Sequence, residues 1–131
     1  MNEQSTYFAP MIYLKVLAPA IEFYKKAFDA VELRRWSNDD GSVHVAELMI
    51  DGALFHMHEE SIRNTELSPE TLKGTSIAIG LFVNDPHAVM AKAVAAGGIE
   101  LEPVTDYDYQ YRQGCLADPF GHHWLIEKKL D

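Results

Sequence analysis

Apolar and polar positions alternate loosely from Ala9 to Val16, in a stretch rich in isoleucine, tyrosine, leucine and valine, which predicts a strand. The period then changes. Ile21, Phe23, Tyr24, Ala27 and Phe28 recur at helical spacing. Pro19 stands where a helix can begin, because the first turn leaves its N–H groups unpaired in any case. That helix is expected to end near Asp29-Ala30. Val31 to Trp36 returns to strand character, and Asn38-Asp39-Asp40-Gly41 has the composition of a turn. Val43 to Ile50 is a further strand. Asp51-Gly52 favours the positive φ angles of a two-residue hairpin, so Ala53 to His58 should fold straight back on it.

Glu59 to Gly74 is polar, carries Pro69 and shows no clear period, which reads as a connector. The same order of elements then begins again. Ile77 to Val83 is strand-like, and Asp85-Pro86 pairs an N-cap residue with a first-turn proline. Val89, Ala93, Val94 and Ala96 supply a helical face, stopped by Gly97-Gly98. Ile99 to Pro103 and Tyr111 to Ala117 read as strands around a tyrosine-bearing loop, Thr105 to Gln110. Asp118 to Gly121 forms a turn before a last strand, His122 to Lys128. The chain therefore predicts one α+β domain over residues 1–131, built of two βαβββ modules. These cover about 9–58 and 75–128, with 59–74 between them. A unit of roughly 50 residues cannot bury its apolar face alone, so two are expected to share a core.

Composition narrows the function. Eleven basic against twenty acidic residues leave a formal charge of −9, and no basic stripe interrupts it, which argues against nucleic acid as a partner. The single cysteine, Cys115, forms no intrachain disulfide and needs no oxidising compartment. The first six residues are polar and acidic, unlike a signal peptide, and the longest apolar stretch is far below the ~18 residues of a membrane span. A cytoplasmic protein without membrane contact is the expectation. No glycine-rich phosphate loop precedes a helix, and no G-x-S-x-G elbow is present.

Ala20-Ile21-Glu22-Phe23-Tyr24-Lys25-Lys26-Ala27-Phe28 resembles the first-helix signature of the vicinal oxygen chelate superfamily, which includes glyoxalase I, the bleomycin resistance proteins and the extradiol dioxygenases. Ala93 to Gly98 resembles the end of its second helix. Asp118-Pro119-Phe120-Gly121-His122-His123-Trp124 resembles its last hairpin, in the form of the PhnB-like branch. The resemblance implies modules whose strands form a curved mixed sheet around a small-molecule cavity, and a homodimer. It also implies a divalent metal in the enzymes, held by His or Gln on the first strand of each module and Glu on the last. The matching positions here are Ala9 or Met11, His56, Ala78 and Leu125. Only His56 offers a metal ligand, so no metal or other cofactor is expected at that site.

If Asp51-Gly52 closes a two-residue turn, Leu48 faces Phe55 and Ala46 faces Met57, giving one apolar face suited to the helices. The opposite face then carries Glu47 against His56 and Val45 against His58. Glu47 and His56 are candidates for a general acid/base pair, with His58 beside them as a ligand-binding residue or part of a relocated metal site. A plain cross-strand hydrogen bond is the alternative. Tyr109 and Tyr111, with Tyr107, suit a planar or cationic ligand, although packing explains tyrosines in such a stretch as well. Leu125 belongs to the cavity face together with His123 and Glu127. Arg112 is a further ligand-binding candidate, and it can pair with Glu127 if the last turn closes symmetrically. Two functions follow: a lyase, isomerase or dioxygenase-type enzyme lacking the usual metal ligands, or a non-catalytic protein that sequesters a drug or metabolite.

Overall fold

The computed structural model describes residues 3–131. Its elements run β1 (Met11–Leu14), α1 (Leu17–Phe28), β2 (Val31–Ser37), β3 (Val43–Ile50), β4 (Ala53–Glu59), α2 (Pro69–Leu72), β5 (Ala78–Phe82), α3 (Pro86–Ala95), β6 (Ile99–Tyr107), β7 (Tyr111–Ala117) and β8 (His123–Lys129). Each module contributes a four-stranded mixed sheet, in the orders β1-β4-β3-β2 and β5-β8-β7-β6. The first strand pairs parallel to the fourth in both, and the other pairs are antiparallel. The repeated βαβββ order is therefore real. Among the described residues no helix is long and apolar enough to cross a membrane.

Helices cover one face of each sheet and leave the other open. On the covered side Ala46, Leu48, Phe55 and Met57 of the first module and Leu116, Trp124 and Ile126 of the second are buried. Asp51 and Gly52 both take positive φ, 46° and 87°, and pair Ile50 with Ala53. This is the two-residue hairpin geometry, and it fixes every side chain of β3 and β4 to its face.

The modules meet through aromatic side chains. Trp124 lies 5.0 Å from Phe28, 5.5 Å from Tyr24 and 5.7 Å from Phe55, ring centre to ring centre. Asp118 sits beneath this cluster, 2% exposed. One carboxylate oxygen accepts from the Tyr24 hydroxyl and, at 3.0 Å, from Trp124 Nε1. The other accepts from the backbone N–H groups of Phe120 and His122, each at 3.0 Å. One side chain thus joins the first helix of one module to the last hairpin of the other. Burial first, and then Asp118, hold the Tyr24 phenol well above its ordinary range.

Two local readings change, and the register of the last hairpin is settled. The connector is not featureless: Ser68 caps α2 with Pro69 at its first position, and Glu60 accepts from the Ser68 and Thr71 side chains at 3.0 and 2.9 Å. The strand expected to stop at Pro103 continues to Tyr107, with register shifts that absorb the proline. The last hairpin does not close symmetrically. Ala117 faces His123 and Asp118 N–H bonds His122 O, with Gly121 at φ 94°, so Gln113 rather than Arg112 faces Glu127.

At the first helix, Glu32 accepts from Arg35 and pairs with Lys25 Nζ at 3.2 Å. These cations hold its carboxyl at about 2, against an ordinary 4.5. A depressed carboxyl contributes stability above its unfolded value and loses it as pH falls toward the folded one. Urea midpoints should therefore fall between about pH 4.5 and 2, and Glu32→Gln should flatten that fall.

Candidate functional site

The open face of the first sheet carries Met11 and Tyr13 from β1, Val45 and Glu47 from β3, and His56 and His58 from β4. Glu47 faces His56 and Val45 faces His58, the arrangement expected from the hairpin register. No hydrogen bond joins Glu47 to His56. Glu47 instead receives Arg34 Nε at 3.1 Å, and the Arg34 guanidinium lies 4.5 Å over the Trp36 ring. A bulge between Glu32 and Arg34 brings this about: Glu32 faces Leu48 on the helix side, while Arg34 faces Glu47 on the open side. Arg34 and Trp36 were not among the sequence candidates, because a bulge has no mark in the alternation of residue types.

His58 lies at the end of the same face. Its Nδ1 bonds the Glu59 carbonyl at 2.6 Å, and its ring lies 4.7 Å from His44 and 6.1 Å from Tyr13. His44 Nδ1 bonds Glu59 Oε1 at 2.9 Å. That bond is the main reason the Glu59 carboxyl lies below its ordinary range. Burial, and then Glu66, raise the Tyr13 phenol. Among the described residues no three His, Cys, Asp or Glu side chains stand close enough to share a metal ion. The register resolves the first-strand position beside His56 to Met11, and it sets Gly80, rather than Ala78, beside Leu125. The set Met11, His56, Gly80 and Leu125 does not fit a divalent metal, because a catalytic site needs about three protein ligands.

The second open face is built from Gly80 and Phe82 of β5, Leu125 and Glu127 of β8, and Tyr111, Gln113 and Cys115 of β7. Tyr107 and Tyr109 stack at 5.3 Å, Tyr109 lies 5.7 Å from Tyr111, and Tyr111 lies 6.0 Å from Phe82. Tyr109 donates to Gln113 Oε1 at 3.1 Å, and Gln113 Nε2 donates to Glu127 Oε1 at 2.7 Å. Burial, then the nearby Tyr107, Glu127 and Glu102, raise the Tyr109 phenol. Arg112 alternates to the other side of β7 and grips Asp106 with two bonds of 2.7 and 3.1 Å, which takes it away from this face. Burial pushes the Cys115 thiol up, so it is not poised as a nucleophile.

The family model for the glyoxalase/bleomycin resistance protein/dioxygenase superfamily matches residues 8–126. The chain belongs to this superfamily. Over 121 residues it is 37% identical to an uncharacterized protein of Mycobacterium tuberculosis, covering 90% of this chain and 71% of that one. The crystal structure of an Arabidopsis thaliana gene product, 29% identical, superposes with a TM-score of 0.73 over 95% of this chain and all of that one. TioX from Micromonospora, at 19% identity, superposes with a TM-score of 0.74 over 96% of this chain and all of its own, and shares the fold. As a superfamily member the chain keeps the paired βαβββ architecture while replacing three of the four positions at which the resemblance places metal ligands.

Proposed function

We propose that this superfamily member binds a small organic molecule on its open sheet faces without the inherited metal and without turning it over. The Arg34–Trp36–Glu47 arrangement carries this reading. Glu47 Oε1 is turned to Arg34, and no hydrogen bond joins the carboxylate to the facing His56, so the two do not form the acid/base pair that catalysis would use. Trp36, 42% exposed beneath the guanidinium, offers a flat surface for a planar guest. His56, opposite Glu47, supplies a polar edge to the same surface.

A homodimer belongs to the same proposal. Among the described residues the outer edges of β1 and β5 are unpaired, and an apolar cleft of about 820 Å³ runs beside them, lined by Phe8, Leu54, Phe55, Ile77 and Ile79 among others. Phe8 is fully exposed, and open edges flanked by apolar surface invite a second chain.

Tryptophan fluorescence tests the binding reading, since Trp124 is 1% exposed and Trp36 is the accessible indole. In a panel of planar aromatic acids, amines and neutral analogues, at least one compound should quench it saturably, equally with and without EDTA. Trp36→Ala, which removes the reporting indole and is therefore followed by calorimetric titration, should weaken that compound about tenfold, the scale of one aromatic contact. Turnover of a hemithioacetal, epoxide or catechol that is lost in Glu47→Gln would establish an enzyme instead.

A further inference from the structure

We propose that the second open face contains a subsite for an aryl-alkyl primary ammonium, in which Glu127 Oε2 accepts the ammonium N–H and Phe82, Tyr111 and Tyr109 hold the ring and methylene. This rests on the small-molecule reading above and assigns a guest class to a different place from the Arg34–Trp36 surface.

Glu127 carries the argument. It is 5% exposed, yet it stands on the face that no helix covers. A carboxylate this buried is ordinarily held by several donors or a cation, because an unpartnered charge away from water is costly. Only one oxygen is served here: Oε1 receives Gln113 Nε2 at 2.7 Å. Oε2 receives no donor among the described residues. No buried side-chain polar atom among them lacks a partner, so Oε2 reaches the surface through the little exposure the residue retains. Oε2 lies on the β5 side of the carboxylate. At Gly80 a Cβ would stand 2.6 Å from Oε2, so the carboxylate occupies room that any other residue at position 80 would fill.

The surroundings select a cation with an aromatic group. Phe82 faces Glu127 directly in the β5–β8 register and is 53% exposed. Tyr111 stands edge-on to Phe82, and Tyr109, 59% exposed, leans over Tyr111 while its hydroxyl is held by Gln113. Aromatic faces attract ammonium groups, and the chain already shows this: Lys129 Nζ lies 6.0 Å from the centre of Phe82. Gln113 fixes both the wall and the floor, because its amide bonds Tyr109 at one end and Glu127 at the other. A carboxylate guest would meet Glu127 as a like charge, and a neutral alcohol would gain only an uncharged hydrogen bond.

Benzylammonium is the direct probe, with benzyl alcohol, benzyltrimethylammonium and benzoate as controls, titrated into the full chain and followed by amide and ring NMR shifts. Benzylammonium should bind about tenfold more tightly than the alcohol, the usual margin of a charge-assisted over a neutral hydrogen bond. It should also bind more tightly than the trimethyl cation, which has no N–H. The shifts should centre on Gly80, Phe82, Tyr111 and Glu127. Glu127→Gln should erase the margin over the alcohol. Gly80→Ala, which keeps the charge but forces Oε2 aside, should reduce it. Equal binding of ammonium and alcohol, or both variants retaining the margin, would overturn the subsite. Shifts confined to Arg34, Trp36 and His56 would overturn it too, while leaving the binding function standing. No saturable binding of any panel compound on either face would remove both.

Discussion

Replacing Asp118 with alanine is expected to cost about 3–5 kcal/mol of folding stability, the range for a buried charged network losing its acceptor. Four donors converge on this one carboxylate: the Tyr24 hydroxyl, Trp124 Nε1, and the N–H groups of Phe120 and His122. Truncation leaves all four without an acceptor in a place where the parent residue was 2% exposed. Asp118→Asn keeps one acceptor oxygen and should cost less, about 1–3 kcal/mol. Urea unfolding followed by tryptophan emission reads both, and an alanine variant within about 0.5 kcal/mol of the parent, the scale of an ordinary surface change, would show that the hub does not hold the modules together.

Trp124→Ala should be comparably damaging, at about 3–5 kcal/mol, the range for emptying a large aromatic site. The indole is 1% exposed and packs against Tyr24 and Phe28 of α1 and Phe55 of β4, all from the other module. Its loss opens a cavity at the seam and strips Asp118 of one donor as well. The two substitutions share a partner, so their costs should not add. A double variant less destabilised than the sum of the singles, in urea unfolding followed by far-UV circular dichroism, is the expected outcome. Strict additivity would mean that Trp124 and Asp118 act independently.

The sequence reveals the scaffold wherever one local rule decides the geometry. Asp51-Gly52 sets a hairpin whose register then places Glu47 and His56 together, and Asp85-Pro86 starts α3, with Asp85 accepting from Ala88 N–H at 3.1 Å. Ser68-Pro69 carries the same start signal, but it sits in a polar stretch without periodicity, and the four-residue helix it begins is too short to leave a pattern. The last hairpin shifts by one position because Asp118 binds the His122 N–H inside the turn, a contact that depends on tertiary burial. The sites were harder to read for the same reason. Arg34 reaches the open face through a bulge, and Glu127 becomes a buried, half-satisfied carboxylate only because Gly80 and Gln113 lie beside it in the folded sheet.

Native mass spectrometry of protein purified without chelator and without a nickel column tests most directly whether the superfamily fold binds organic guests here without its metal. The expected spectrum shows twice the 14.8 kDa chain mass, accepts an organic adduct from the panel compound that quenches Trp36, and carries no stoichiometric metal. One divalent ion per chain that disappears in His56→Ala, together with loss of the adduct on removing that ion, would contradict it.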